Sequence, residues 1–174
     1  FEGPVDFIEN EGRHDLESIL SSPSPFYYSS KELMLKFSIS SRGTHPGLDA
    51  TLEIVREEGI RPEEIQEIRF KAKKLYLQYP FNNPEPTEYE NAVHSVPWAF
   101  AMLLLGYEAG PEWLTQERLK DPIALALAKK VKMEDLPRAT EIWDCGVRYT
   151  NDGPNEVEIV ARGKVYKKTR TYGE

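Results

Sequence analysis

The stretch "LKFSISSRGTHPGLDATLEIVREEG", residues 35–59, begins like a strand, ends like a helix and crosses residues 38–46 without one acidic side chain. Six of those nine residues, Ser38, Ser40, Ser41, Arg42, Thr44 and His45, carry side-chain hydrogen-bond donors. Leu48, Leu52 and Val55 follow at i, i+4 and i+7, one face of a helix, and Gly59 supplies its stop. Thr44 stands where an N-cap belongs. Pro46 has no N–H, so the Thr44 hydroxyl is expected to accept from residue 47. Free N–H groups, the positive end of the helix dipole and the side chains of Ser40, Ser41, Arg42 and His45 would then converge on one spot suited to an anion. Arg42 matches a carboxylate or phosphate bidentately, and Lys36 lies within reach if the strand end faces the same cleft. The plainer alternative is a capped turn carrying a solvated Arg42 and a surface His45.

Outward from this stretch, residues 1–30 are rich in Gly, Pro and Ser without a sustained period and read as an irregular lead-in. "ELMLKFSI" has strand alternation, Pro62 opens a short helical turn, and "EIRFKAKKLYLQY" reads as a half-buried strand whose basic residues form a solvated face. In "PTEYENAVHSVPWAFAMLLLG" Thr87 and Glu90 have capping-box spacing, Pro97 should kink a long buried helix, and Gly106 should end it. Helices are expected from Pro111 and, capped by Asp121, from Pro122. "TEIWDCGVRYT" and "EVEIVARGKVYKKTRTY" read as strands, the second folded at Arg162-Gly163 into a hairpin. The expected fold class is α+β, a mixed or antiparallel sheet packed against helices.

The whole-chain properties narrow the function. With 174 residues, 40% of them apolar, the chain can bury one core. A net charge of −7 leaves no basic field for nucleic acid or an anionic membrane. A single cysteine, Cys145, makes no internal disulfide or zinc site, and no apolar run reaches a membrane span, so a cytoplasmic setting is expected. No metal-ligand spacing or cofactor-binding motif is present, and neither a metal nor a cofactor is expected. The chain opens with Phe and closes at "TRTYGE", which is expected of a piece of a longer polypeptide. His94, between Val93 and Ser95 in the helical stretch, reads as a buried, hydrogen-bonded histidine or as a proton donor near a cleft.

The runs "KFSISSRGTHPGLDATLEIVREEGIRPEEIQEIRFKA", "PTEYENAVHSVPWAFAMLLLG" and "LTQERLKDPIALALAKKVKM" resemble, in register over about residues 31–134, the carboxy-terminal or lid domain of the MmgE/PrpD family. That is the group of 2-methylcitrate dehydratase and cis-aconitate decarboxylase. The resemblance implies that residues 31–174 form the smaller lid domain of a two-domain enzyme. The lead-in 1–30 would come from a missing helical domain or subunit, and the complete enzyme would be a homodimer. The family's strand-to-helix segment commonly reads Lys, an aromatic-Pro pair, two Cys, Arg, any residue, Thr, His, which places Lys36, Arg42, Thr44 and His45 in matching positions. Ser40 and Ser41 stand where the cysteines usually are. In the decarboxylase branch the Ser41 position is an active-site histidine, and its absence here counts against decarboxylation among the family's three reaction types, elimination, decarboxylation and epimerisation. His94 and Ser95 match the start of a pocket-lining helix, with Trp98 where a tyrosine often stands.

By this resemblance the substrate is a small di- or tricarboxylic acid and the chemistry that of a lyase, a carbon–oxygen dehydratase, or an isomerase. Lys36 and His45 take catalytic roles; Ser40, Ser41, Arg42, Thr44 and His94 bind substrate. The isolated chain should be inactive, because most acid/base histidines belong to the helical domain. Anion binding at the loop should be weak and should tighten as pH falls from about 8 toward 6, as His45 gains charge. The competing class is a non-catalytic α+β module that docks a protein or binds an anion with the same face.

Overall fold

In this computed structural model the described residues are 36, 38–144 and 153–171. Contacts divide the chain into Phe1–Leu35 and Lys36–Glu174, so the description concerns the second unit alone. The strand expected over 32–39 lies largely outside the described residues, and Ser38–Ser40 trace bends.

Helix α1 spans His45–Glu58 and ends at Gly59, whose φ of 60° and ψ of 38° are the left-handed stop its sequence promised. Its buried face is not the expected stripe. Gly47, Leu48, Ala50, Thr51 and Ile54 are buried, while Leu52 and Val55 are only half-buried. The small residues face the sheet and allow the helix to lie close against it.

Strands β1 (Ile65–Ala72), β2 (Val131–Asp135), β3 (Asn155–Ala161) and β4 (Lys164–Arg170) form one mixed sheet in the order β2-β1-β3-β4. β1 and β2 are parallel; the other pairs are antiparallel. A register shift between Ile65 and Glu67 keeps both Ile65 and Ile68 inward, where strict alternation would turn one of them out. With Phe70, Ala72, Val157, Ile159 and Ala161 they form the buried face. The opposite face is a charge ladder: Lys71 Nζ lies 2.9 Å from Glu156 and 2.8 Å from Glu158, and Lys167 lies 2.8 Å from Glu156. Arg162 (φ 53°) and Gly163 (φ 69°) make the β3–β4 turn, and two successive positive φ values are the twist a tight hairpin requires. From that turn the Arg162 guanidinium donates to the carbonyls of Glu58 (3.2 Å) and Gly59 (2.6 Å), closing the end of α1.

The expected long helix is two, α2 (Tyr89–His94) and α3 (Val96–Leu104), because Pro97 cannot donate to the turn before it. Ser95 occupies the break: its Oγ accepts from Trp98 N at 3.1 Å and donates to the carbonyl of Asn83. The Thr87–Glu90 box does not form. Glu88 is the N-cap without a side-chain bond, and the Thr87 carbonyl accepts from Gln116 at 3.3 Å. Residues expected as a helix from Pro111 make two 3-10 turns, Pro111–Leu114 and Arg118–Lys120. Helix α4, Pro122–Ala128, starts as expected with Asp121 Oδ1 accepting from Ile123 and Ala124.

Two strand expectations fail. β1 stops at Ala72; Lys73 is buried, and a 3-10 turn runs over Lys74–Leu77. Residues 140–144 belong to helix α5, Pro137–Asp144, and 145–152 lie outside the described residues. Tertiary bonds hold α5: Leu136 N–H donates to Ala72 O at 2.8 Å, and Thr140 Oγ1 accepts from Lys74 N at 2.8 Å. The fold is α+β, a mixed sheet with helices packed on one face.

Candidate functional site

The 3-10 turn Arg42–Thr44 runs straight into α1, and this continuity decides what the loop can offer. Thr44 has helical angles, φ −96° and ψ −11°, so its hydroxyl folds back to donate to Ser41 O at 2.6 Å and caps nothing. The expected bond to residue 47 is made instead from across the domain: Gly47 N–H donates to Asn155 Oδ1 at 3.1 Å. Thr44 N–H goes to Ser41 O, His45 N–H to Arg42 O, and Pro46 has none. The N–H groups of 44, 45 and 47 are therefore already used, and anion binding here falls to side chains.

Those side chains lie around Ser40–His45. Ser40 is buried, with its Oγ 3.2 Å from Ser38 Oγ and 3.4 Å from Thr44 Oγ1. Ser41 Oγ meets the Tyr76 hydroxyl at 3.2 Å. His45 is only 6% exposed, and among the described residues neither ring nitrogen makes a well-aligned hydrogen bond. Burial first, then the charges of Lys36 and Arg42, holds the His45 imidazole below its ordinary range, opposed by the backbone carbonyls of Ser40 and Ser38. Both cations thus sit within electrostatic reach of the ring. Because the ring resists protonation, any gain of anion affinity from His45 charge moves to pH below about 6.5, not across 6 to 8.

Lys36 is exposed and lines a cavity described below; Arg42 is half-buried. His94 is the outlier. It is exposed at the end of α2 and stacks edge-on against Phe81 at 5.6 Å, so it is not the buried, hydrogen-bonded histidine expected. Phe81 in turn meets Tyr76 at 5.3 Å, so two rings separate His94 from Ser41.

Four residues at or behind the loop escaped sequence reasoning. Asn155 is 1% exposed, fixes Gly47 and keeps its own Nδ2 without a partner. Tyr76 touches Ser41, and behind it the buried Lys73 places Nζ 3.2 Å from the centre of the Trp143 ring and 5.2 Å from that of Tyr76. Asn155 was visible only as part of the "NDGPN" turn, and Tyr76 was hidden in a segment read as strand. Among the described residues no group of three His, Cys, Asp or Glu converges as a metal site would, and no helix is long and apolar enough to cross a membrane.

A mixed four-stranded sheet backed by helices, with a cation-flanked loop at the head of its longest helix, is a small α+β domain with a candidate binding edge. Residues 40–172 match the MmgE/PrpD C-terminal domain, and the chain belongs to the MmgE/PrpD family. A comparison with curated proteins finds no match.

Proposed function

We propose that this domain contributes the carboxylate-binding side of a lyase- or isomerase-type active site acting on small di- or tricarboxylic acids, in the manner of 2-methylcitrate dehydratase. The observation that carries the reading is His45: a buried imidazole whose nitrogens form no well-aligned hydrogen bond among the described residues, with the carbonyls of Ser40 and Ser38 beside it and the charges of Lys36 and Arg42 within reach. Buried polar groups are nearly always partnered, so such a ring calls for a partner that the described residues do not supply. A carboxylate beside the ring would lie in the field of Lys36 and Arg42, whose charges reach His45, and eliminations beside a carboxylate develop negative charge that this edge would stabilise. Lys36 and His45 take the proton-handling and charge-stabilising roles; Arg42 binds the carboxylate with Ser40, Ser41 and Thr44 around it, and His94, beyond Phe81 and Tyr76, meets only a substrate long enough to extend past those rings. Family membership supports a helical partner domain carrying the remaining acid/base groups; a cytoplasmic homodimer completes the proposal.

The test is a citrate titration of the isotope-labelled chain, followed at the amides of residues 43–49 and at the His45 ring. Affinity on the order of millimolar is expected, since a few charge-assisted bonds must offset lost translational freedom. Arg42→Ala should weaken it at least threefold, and added salt should weaken it further. Unmoved 43–49 amides, or an unchanged affinity in Arg42→Ala, leave only a structural turn. Protein docking by the same face, the non-catalytic alternative, would then be the better reading.

A further inference from the structure

Beside the loop lies a cavity of about 430 Å³, of a size that holds small ligands. Three segments build it: Lys36, Ser38 and Ile39 from the loop, Tyr89 and Val93 one turn apart on α2, and the stretch ending at Leu114. Ile39 and Val93 are half-buried and Leu114 is buried, so these walls are held by the core; Tyr89 is 57% exposed, at the rim. Lys36 is shared, because its charge also reaches His45.

We infer that this cavity takes the apolar branch of the acid bound at the loop, so that the substrate class is a carboxylic acid carrying a hydrocarbon substituent of several carbons. The inference rests on the carboxylate reading above and narrows it. A ligand filling the cavity meets one cation, Lys36, and two hydroxyls, that of Ser38 and, at the rim, that of Tyr89; its other walls are aliphatic. A second or third carboxylate turned toward Ile39, Val93 and Leu114 would give up part of its water to walls without donors, which is unfavourable. A hydrocarbon chain in the same place gains about fourfold in affinity for each methylene removed from water. One anionic head at Lys36 with an apolar body therefore fits where a wholly polar acid does not. Tyr89 and Val93 set the reach of the chain, since they lie at i and i+4 on one face of α2.

The experiment is a titration of the chain with acetate, butyrate and hexanoate, with hexanol as the uncharged control, followed at Val93, Ala109 and Leu114 as well as at residues 43–49. Expected are shifts at both groups and affinity that rises at least tenfold from acetate to hexanoate. Val93→Ser should flatten that rise, and Lys36→Gln should weaken hexanoate at least fivefold while leaving hexanol where it was. A flat series with citrate still moving residues 43–49 overturns this inference and leaves the carboxylate reading in place. Hexanoate and hexanol binding equally, regardless of Lys36, overturns the carboxylate head. If no acid moves residues 43–49, both fall together.

Discussion

The backbone N–H of Gly47 donates to Oδ1 of Asn155 at 3.1 Å, joining the first turn of α1 to the first residue of β3 across more than a hundred residues of sequence. Asn155→Ala leaves that N–H buried and unpaired, at a cost of about 1–3 kcal/mol. Asn155→Asp keeps the acceptor but buries a charge that only the helix dipole opposes, and should recover no more than part of the loss. Urea denaturation of both variants is the check; equal stability for Asn155→Ala and the parent removes the bond from the account.

Gly47 is fixed by space. A Cβ there would fall inside contact distance of the Phe70 ring and 3.2 Å from Asn155 Oδ1. Phe70 cannot retreat, because it is fully buried with Phe100 5.1 Å away. Gly47→Ala should destabilise by about 1–3 kcal/mol, despite the better helix propensity of alanine. A thermal melt at or above that of the parent would contradict it.

The contact between Ser41 and Tyr76 is expected to be a coupled pair. Tyr76→Phe and Ser41→Ala should each cost about 0.5–1.5 kcal/mol, and the double variant less than their sum. Strict additivity in a denaturation cycle would mean that the two hydroxyls are merely neighbours.

His45 sets a pH dependence with a definite sign. Its folded value lies below the ordinary imidazole value of about 6.5, so the unfolded chain takes the proton first as pH falls. The stability tied to the neutral ring is complete above about 6.5 and is lost as pH drops through the folded value. The urea midpoint should fall on acidification in the parent, and His45→Gln should flatten the slope. A midpoint that rises on acidification refutes the burial argument.

Glu64 gives a second, lower window. Hydrogen bonds from Arg162, at 2.6 and 3.0 Å, and from the Arg61 backbone, at 2.8 Å, pull its carboxyl down to about 2. Its contribution is present above the ordinary carboxylate value and disappears as pH falls toward 2. Arg162→Ala should move the Glu64 titration, followed by carbon-detected spectroscopy, back toward about 4.3. No movement would show that the backbone bond alone holds it.

What the sequence made legible was what neighbours decide. Gly59, Asp121 and the Arg162-Gly163 pair act within a turn of themselves, and each does what local chemistry demands. Proximity in sequence also brought Ser40, Ser41, Arg42, Thr44 and His45 together. The failures are distant in origin. Thr44 looked like a cap because Asn155, the residue that binds Gly47, is far along the chain. "TEIWD" looked like strand because Ile142 and Trp143 favour strands, whereas its helix is secured by Leu136, Thr140 and the stacking of Lys73 on Trp143. β2 went unseen because "VKMED" shows little burial beyond Val131; pairing with β1 defines it.

The sheet's outer strands also constrain how copies of this domain could associate. β4 carries Lys164, Lys167, Lys168 and Arg170, and β2 carries Lys132, Glu134 and Asp135. Charged borders of this kind resist the backbone-to-backbone zippering by which open sheets grow into fibrils. Lys167, Lys168 and Arg170 are held in ion pairs with Glu156, Glu57 and Glu53, which a second strand laid on β4 would have to disturb. Strand addition is therefore disfavoured at that border, which among the described residues keeps the sheet a finite, four-stranded unit.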